Sequence, residues 1–290
     1  MNGMESRGRF GGIQTPRDQA RVVILPVAYD LTASYGTGAR NGPQALLDAS
    51  FHMELFDERL GFTPTDIGVH TEEIHDQIAT GPAAMVDAVA GAVGGVLDEG
   101  RMPVLLGGDH SLTIGALRAF AERGISLTVL QLDAHADLRE EYQGTPFSHA
   151  CVMARAREMF PCVQLGIRSV SAAEYSRIRS ENLAVFPIRR LREDREEVAR
   201  EAQALLGSTV YMTIDLDVLD PSIMPATGTP EPGGLRWDEL LWFVRSLTRG
   251  RRVVGFDLVE LAPIPGLHAP DFLAAKLVNK VLGYTIPPDG

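Results

Sequence analysis

Asp133, His135 and Asp137 stand at alternate positions of SLTVLQLDAHADLREEYQGTPFSHACVMARA, the stretch from Ser126 to Ala156, directly after an apolar, β-branched run. Side chains at i and i+2 of a strand share a face, so two carboxylates and an imidazole converge there. Similar strand ends recur: GGDH, Gly107 to His110, follows Met102–Leu106, and DLDVLDP, Asp215 to Pro221, follows Val210–Ile214. In the latter, Asp215 and Asp217 are again two apart. Four carboxylates crowded into one region repel one another and lose solvation unless cations neutralise them. Oxygen-rich ligation with a minority of imidazole and no thiolate favours a hard divalent ion such as Mn²⁺ over structural zinc. Six protein ligands exceed what one open catalytic ion takes. They suit two ions that share carboxylates, an arrangement that makes a nucleophile of water near neutral pH. Asp109 and Asp220, in the same loops, are expected to brace backbone amides instead. A nucleophilic role for Cys151 becomes unnecessary once a metal-activated water is available.

Such residues can meet only if the strands that carry them lie side by side. Strand-length apolar runs are expected at Arg21–Ala28, Met102–Leu106, Ser126–Leu132, Val163–Ile167, Leu183–Ile188, Val210–Leu216 and Arg252–Leu258. Helical patterns alternate with them at Pro43–Leu55, Ala83–Leu97, Thr113–Arg123, Ala150–Met159, Ala172–Arg179, Arg192–Leu206, Trp237–Thr248 and Pro270–Leu282. Val86, Val89, Ala90, Val93 and Leu97 mark the second of these as an amphipathic crossover. The repetition predicts an α/β chain with a parallel sheet covered on both faces. In such sheets ligands collect at the carboxyl ends of the strands, where all the acids and imidazoles above fall. The Gly/Pro-rich segment Pro225–Gly234 lies between a strand and a helix of one pattern, so it reads as a functional loop and not as a linker. Residues 1–20 are expected as a flexible tail and residues 21–290 as one catalytic domain.

A formal net charge of −11 excludes a general binder of nucleic-acid phosphates, which needs an excess of Lys and Arg. No run approaches the ~20 apolar residues that span a bilayer, so no membrane partner is expected. The first twenty residues hold no continuous apolar segment of the kind a secretory signal requires. Two cysteines, Cys151 and Cys162, do not make a disulfide framework, and a cytoplasmic location is expected.

GGDHS, DAHAD, SHACVM, DLDVLDP, ATGTPEPGGL and DLVELAP occur in the order found in the ureohydrolase (arginase/agmatinase) family, which the chain resembles from about Arg21 to Tyr284, most of all in its agmatinase branch. PVAYDLTASYGTGARNGPQAL near the start belongs to the same resemblance. The resemblance implies a three-layer α/β/α domain with a largely parallel sheet of about eight strands, two Mn²⁺ per subunit, and a homotrimer or homohexamer. It places one ion among His110, Asp133, Asp137 and Asp215 and the other among Asp133, His135, Asp215 and Asp217, so that Asp133 and Asp215 bridge. It further implies that Glu260 binds a guanidinium group, that Asp137 relays a proton and that His149 moves protons at the cleft mouth.

The implied activity is hydrolysis of the guanidinium group of a small cationic substrate: agmatine, to urea and putrescine. The alternatives are N1-aminopropylagmatine, giving spermidine, then guanidinobutyrate or arginine, and a non-catalytic metal-binding homologue. Where arginases carry an asparagine for the arginine tail this chain has Arg139, followed by Glu140 and Glu141. The two acids suit a cationic tail, while Arg139 leaves room for a carboxylate.

Overall fold

The structure is a computed structural model and describes residues 8–76 and 78–286. Eight strands form one sheet: β1 Val22–Pro26, β2 Val69–Thr71, β3 Met102–Leu106, β4 Thr128–Leu132, β5 Cys162–Ile167, β6 Val185–Pro187, β7 Thr209–Asp215 and β8 Arg252–Val259. They run in the order β2-β1-β3-β8-β7-β4-β5-β6, and every pairing is parallel. Alternate residues of the strands feed two different cores. Val22 and Ile24 pack with one apolar cluster and Val23 and Leu25 with the other.

The first cluster is closed by helices α1 (Gly42–Ser50), α6 (Ile188–Glu193), α7 (Arg195–Leu205), α8 (Trp237–Thr248) and α9 (Ala269–Thr285). The second is closed by α2 (Pro82–Asp98), α3 (Leu112–Glu122) and α4 (Val152–Met159). A parallel sheet needs this cover because each strand is buried on both sides. The result is the three-layer α/β/α arrangement expected. The remaining helix, α5 (Ala172–Ser180), opens on a capping box in which Ser171 and Glu174 each bond the other's backbone N–H. No helix among the described residues is long and apolar enough to cross a membrane.

Three departures from the sequence expectations have local causes. The short edge strand β2 carries only three residues, too few to show a period. The helix expected from Arg192 to Leu206 begins at Arg195, because the Asp194 side chain accepts the N–H of Glu197 at 2.9 Å and caps α7 there, while Arg192 and Glu193 end the short helix α6. Residues expected as a flexible tail are placed from Gly8 on. Phe10 is fully buried, and its N–H donates to Thr71 Oγ1 at 3.1 Å. Thr15 N–H donates to the Val69 carbonyl at 3.0 Å, so this segment covers the free edge of β2. Residues 1–7 of that expected tail lie outside the described residues.

Candidate metal centre and active site

The four strands whose ends carry the candidate residues are neighbours, in the order β3-β8-β7-β4. His110 follows β3, Asp133, His135 and Asp137 follow β4, Asp215 ends β7 with Asp217 just beyond, and Glu260 follows β8. Their side chains therefore meet over one stretch of the sheet's carboxyl edge. His110 Nδ1 stands 3.1 Å from Asp133 Oδ2, 3.1 Å from Asp137 Oδ2 and 3.4 Å from Asp215 Oδ2. His135 Nδ1 is 2.8 Å from Asp217 Oδ2 and 3.7 Å from Asp133 Oδ1. Two triplets, His110/Asp133/Asp137 and Asp133/His135/Asp217, each hold their ligand atoms within 4.8 Å of one another and share Asp133. Asp215 belongs to neither triplet. Its Oδ1 accepts the Asp217 N–H at 2.9 Å while Oδ2 faces His110.

Two of these residues sit in the left-handed region that side chains other than glycine seldom enter: Asp137 at φ 51° and Glu260 at φ 67°. Strain of this kind persists where neighbours hold it. The Asp137 carbonyl accepts the N–H groups of Met153 and Ala154 at the start of α4, and the next N–H, of Leu138, donates to Glu174 Oε1 at 3.0 Å. Glu260 Oε1 accepts the His110 N–H at 2.7 Å, and Glu260 N–H donates to the Gly108 carbonyl at 2.8 Å. At Gly108 a Cβ would lie 1.7 Å from the Tyr29 carbonyl oxygen, so only glycine lets the end of β3 pass that close.

The residues fit a pair of cations. His110 Nδ1 is buried with no hydrogen-bond partner among the described residues, although carboxylate oxygens surround it. Burial holds the carboxyls of Asp215 and Asp217 above their usual range, Asp217 and Asp133 adding to it at Asp215 and Asp133 at Asp217. Burial and the charge of Asp133 push Asp137 up to about 7. Positive charge at this spot removes that penalty. The chain stripped of divalent metal is therefore expected to melt lower, and saturating Mn²⁺ to raise the midpoint by roughly 5–10 °C. An unchanged melting curve at millimolar Mn²⁺ would sink the metal assignment.

Asp109 and Asp220 brace their loops as expected. Asp109 accepts from the N–H and hydroxyl of Thr32 and from Ser111, and Asp220 from Ser222, Gly233 and Gly234. Cys151 is fully buried, and its burial raises the thiol to about 11, which leaves no thiolate to attack.

A narrow slot of about 20 Å³ descends to the cluster between Ser34, Tyr35, Gly228, His149 and Glu260. It opens into an outer cavity of about 250 Å³ that reaches Arg139, Tyr142, Ser169, Ser171 and Glu174. His149 stands where the two join: its Nδ1 is 3.2 Å from Thr32 Oγ1 and its Nε2 3.4 Å from Ser34 Oγ. A larger cavity, about 900 Å³, lies at the opposite end of the strands and includes none of the candidate residues.

One expectation about the mouth changes, that for the two acids. Glu140 is ion-paired to both Arg155 and Arg177 and, like Glu141, does not line the outer cavity. Arg139 lies with its guanidinium carbon 4.9 Å from the centre of the Tyr142 ring. The carboxylate that does line the mouth is Glu174, whose oxygens accept from Leu138 and Ser171 N–H groups. Sequence reading passed over it, although the spacing Ser171-x-x-Glu174 is a capping-box signature. Thr32 and Ser34 gave no comparable local signal; they reach His149 because the loop after β1 folds back over β3.

The chain is similar to known proteins in sequence and in fold. The sequence profile of the arginase family matches residues 20–283. The chain belongs to the arginase family. It is 39% identical over 273 residues to the N(1)-aminopropylagmatine ureohydrolase of Synechocystis, covering 91% of this chain and 89% of that protein. A Thermus thermophilus protein of the same name is also 39% identical, over 94% of this chain and 93% of its own. The crystal structure of agmatine ureohydrolase from Thermoplasma volcanium superposes with a TM-score of 0.85 at 28% identity, covering 93% of this chain and 91% of that one. The parallel sheet of eight strands is the one this arginase-family ureohydrolase shares with it.

Proposed function

We propose that this ureohydrolase cleaves the guanidinium group of a cationic amine, N1-aminopropylagmatine in preference to agmatine, using two Mn²⁺ held by His110, Asp133, His135, Asp137, Asp215 and Asp217. The observation that carries the reaction is the pair of ligand triplets sharing Asp133 at the foot of a slot that Glu260 also lines. The order of substrates rests on the names of the two relatives at 39% identity and on the outer cavity, which gives a longer tail somewhere to go. The sequence resemblance by itself ranks agmatine first.

When bound, such a cation pair lowers the pKa of water toward neutrality and offsets negative charge that develops in the reaction. The chain's own groups do the rest. Burial and the Asp109 charge push the Glu260 carboxyl up to about 8, a penalty that an incoming guanidinium relieves by its own charge and paired N–H donors. Asp137, at the junction of the cluster and the slot, takes the proton of the attacking water and passes it to the departing amine nitrogen. Burial pushes the His149 imidazole down to about 4, so it stands neutral at the slot's mouth between the Thr32 and Ser34 hydroxyls, and it takes up a proton only as negative charge develops beside it. Water is added across the carbon–nitrogen bond, and urea and the amine leave.

Urea release in the presence of Mn²⁺ tests the proposal across N1-aminopropylagmatine, agmatine, arginine and guanidinobutyrate. We expect kcat/KM to be greatest for the first; an ordering led by guanidinobutyrate or arginine would show that Arg139 reads a carboxylate. No urea from any of the four would remove the reaction itself. His149→Asn should lower kcat by about 10²-fold or more while the metal content stays at the wild-type value. Lost metal in that variant would move His149 into the ligand set.

A further inference from the structure

Gln164, Gln131, Thr213 and Asp257 face one another in register across β5, β4, β7 and β8, one row beneath the ligands. All four are buried in the sheet. Buried polar groups persist only where hydrogen bonds repay their lost hydration. Half of this row bonds the ligands directly. Gln131 Nε2 donates to Asp133 Oδ2 at 2.6 Å, and His110 Nε2 lies 2.8 Å from Thr213 Oγ1.

Asp257 touches no ligand, lines neither the slot nor the outer cavity, and has no part in the reaction above. Its Oδ2 receives two hydroxyls, that of Tyr211 at 2.7 Å and that of Thr113 at 3.0 Å. Thr113 Oγ1 in turn lies 3.4 Å from Thr213 Oγ1. A carboxylate oxygen can only accept, and each threonine hydroxyl has one proton to give. Thr113 therefore spends its proton on Asp257. Thr213 gives its one proton to Thr113 or to Asp257 itself, and in either case accepts from His110, which carries a proton on Nε2. In the neutral ring, the form that can ligate a cation, Nδ1 is then the nitrogen without a proton, and it faces Asp133, Asp137 and Asp215. The opposite tautomer would turn every hydroxyl of the chain around and leave a threonine oxygen facing the carboxylate without a proton between them.

We infer that Asp257 is a positioning residue that selects the Nδ1-bare tautomer of His110 through Thr113 and Thr213, and so tunes the affinity of the cation site that His110 serves. The inference rests on the metal reading above, and the test separates the two. The full-length chain, stripped of metal, is titrated with Mn²⁺ while free Mn²⁺ is followed by its electron paramagnetic resonance signal. Thr113→Val removes the linking hydroxyl without altering Thr213 or any ligand. Asp257→Asn keeps the shape but offers an NH₂ that can donate toward Thr113. Each should weaken one of the two bound ions by about 10- to 100-fold and leave the other unchanged, the range seen when the outer partner of a ligating histidine is lost. Thr113→Ser should restore wild-type binding, which a loss of packing alone would not predict. Unchanged affinity in a folded Thr113→Val, or equal weakening of both ions, would overturn the inference. If melting shows that Asp257→Asn does not fold, the two Thr113 variants decide. Failure of the wild-type chain to bind Mn²⁺ would instead strike the metal reading itself.

Discussion

Asp133→Ala is expected to lose both cations and, with them, on the order of 10³-fold or more in urea release. Asp133 is the one residue common to the two ligand triplets: its Oδ2 faces His110 and its Oδ1 faces His135. Removing it takes from both triplets the one residue they share and leaves two imidazoles and three further carboxylates, so neither ion keeps its full set. His135→Ala removes a ligand from one triplet only and should retain one ion per chain. Metal content of the two purified variants, measured with activity on the same samples, checks this. An Asp133→Ala chain that still holds two ions would show that another residue bridges, and Asp215, whose Oδ2 lies 3.4 Å from His110, would take its place.

Glu260→Gln should lower kcat/KM by roughly 10²- to 10³-fold or more, equivalent to about 3–5 kcal/mol of transition-state stabilisation in a desolvated site. The substitution keeps the length of the side chain and its backbone contacts, yet replaces one accepting oxygen by an NH₂ that meets the guanidinium donors head on. Both cations should stay bound, because Glu260 is in neither triplet. The measurement is kcat/KM for N1-aminopropylagmatine and for agmatine, with metal counted alongside. A value near wild type would mean that some other group reads the guanidinium. Metal loss would mean that Glu260, through its bond to the His110 N–H, holds the ligand loop and not the substrate.

Much of the centre was legible before any folding. Period-two spacing puts Asp133, His135 and Asp137 on one face, and the charge cost of assembling them with Asp215 and Asp217 calls for cations whatever the fold. The alternation of apolar runs likewise forces a parallel sheet with two covered faces. Chain order could not supply spatial order. The candidate strands follow one another as β3, β4, β7 and β8 but lie as β3-β8-β7-β4, because the last two, β7 and β8, insert between β3 and β4, and this alone brings Glu260 between His110 and the aspartates.

Tertiary structure also decided what local pattern misread or left silent. Glu140 reads as an acid at the mouth, but Arg155 and Arg177, distant in sequence, neutralise it, whereas Glu174, on which the sequence gives no site reading, lines the cavity while holding Leu138. The Asp257 row is invisible in sequence for the same reason: Gln164, Gln131, Thr213 and Asp257 are single polar residues scattered in four apolar runs. A lone polar residue in a buried strand is a cost with no evident return until parallel register aligns it with its neighbours. Composition and spacing therefore determined which atoms could bind metal, and strand order and register decided which of them meet, which way each hydrogen bond runs, and which carboxylates remain free to act.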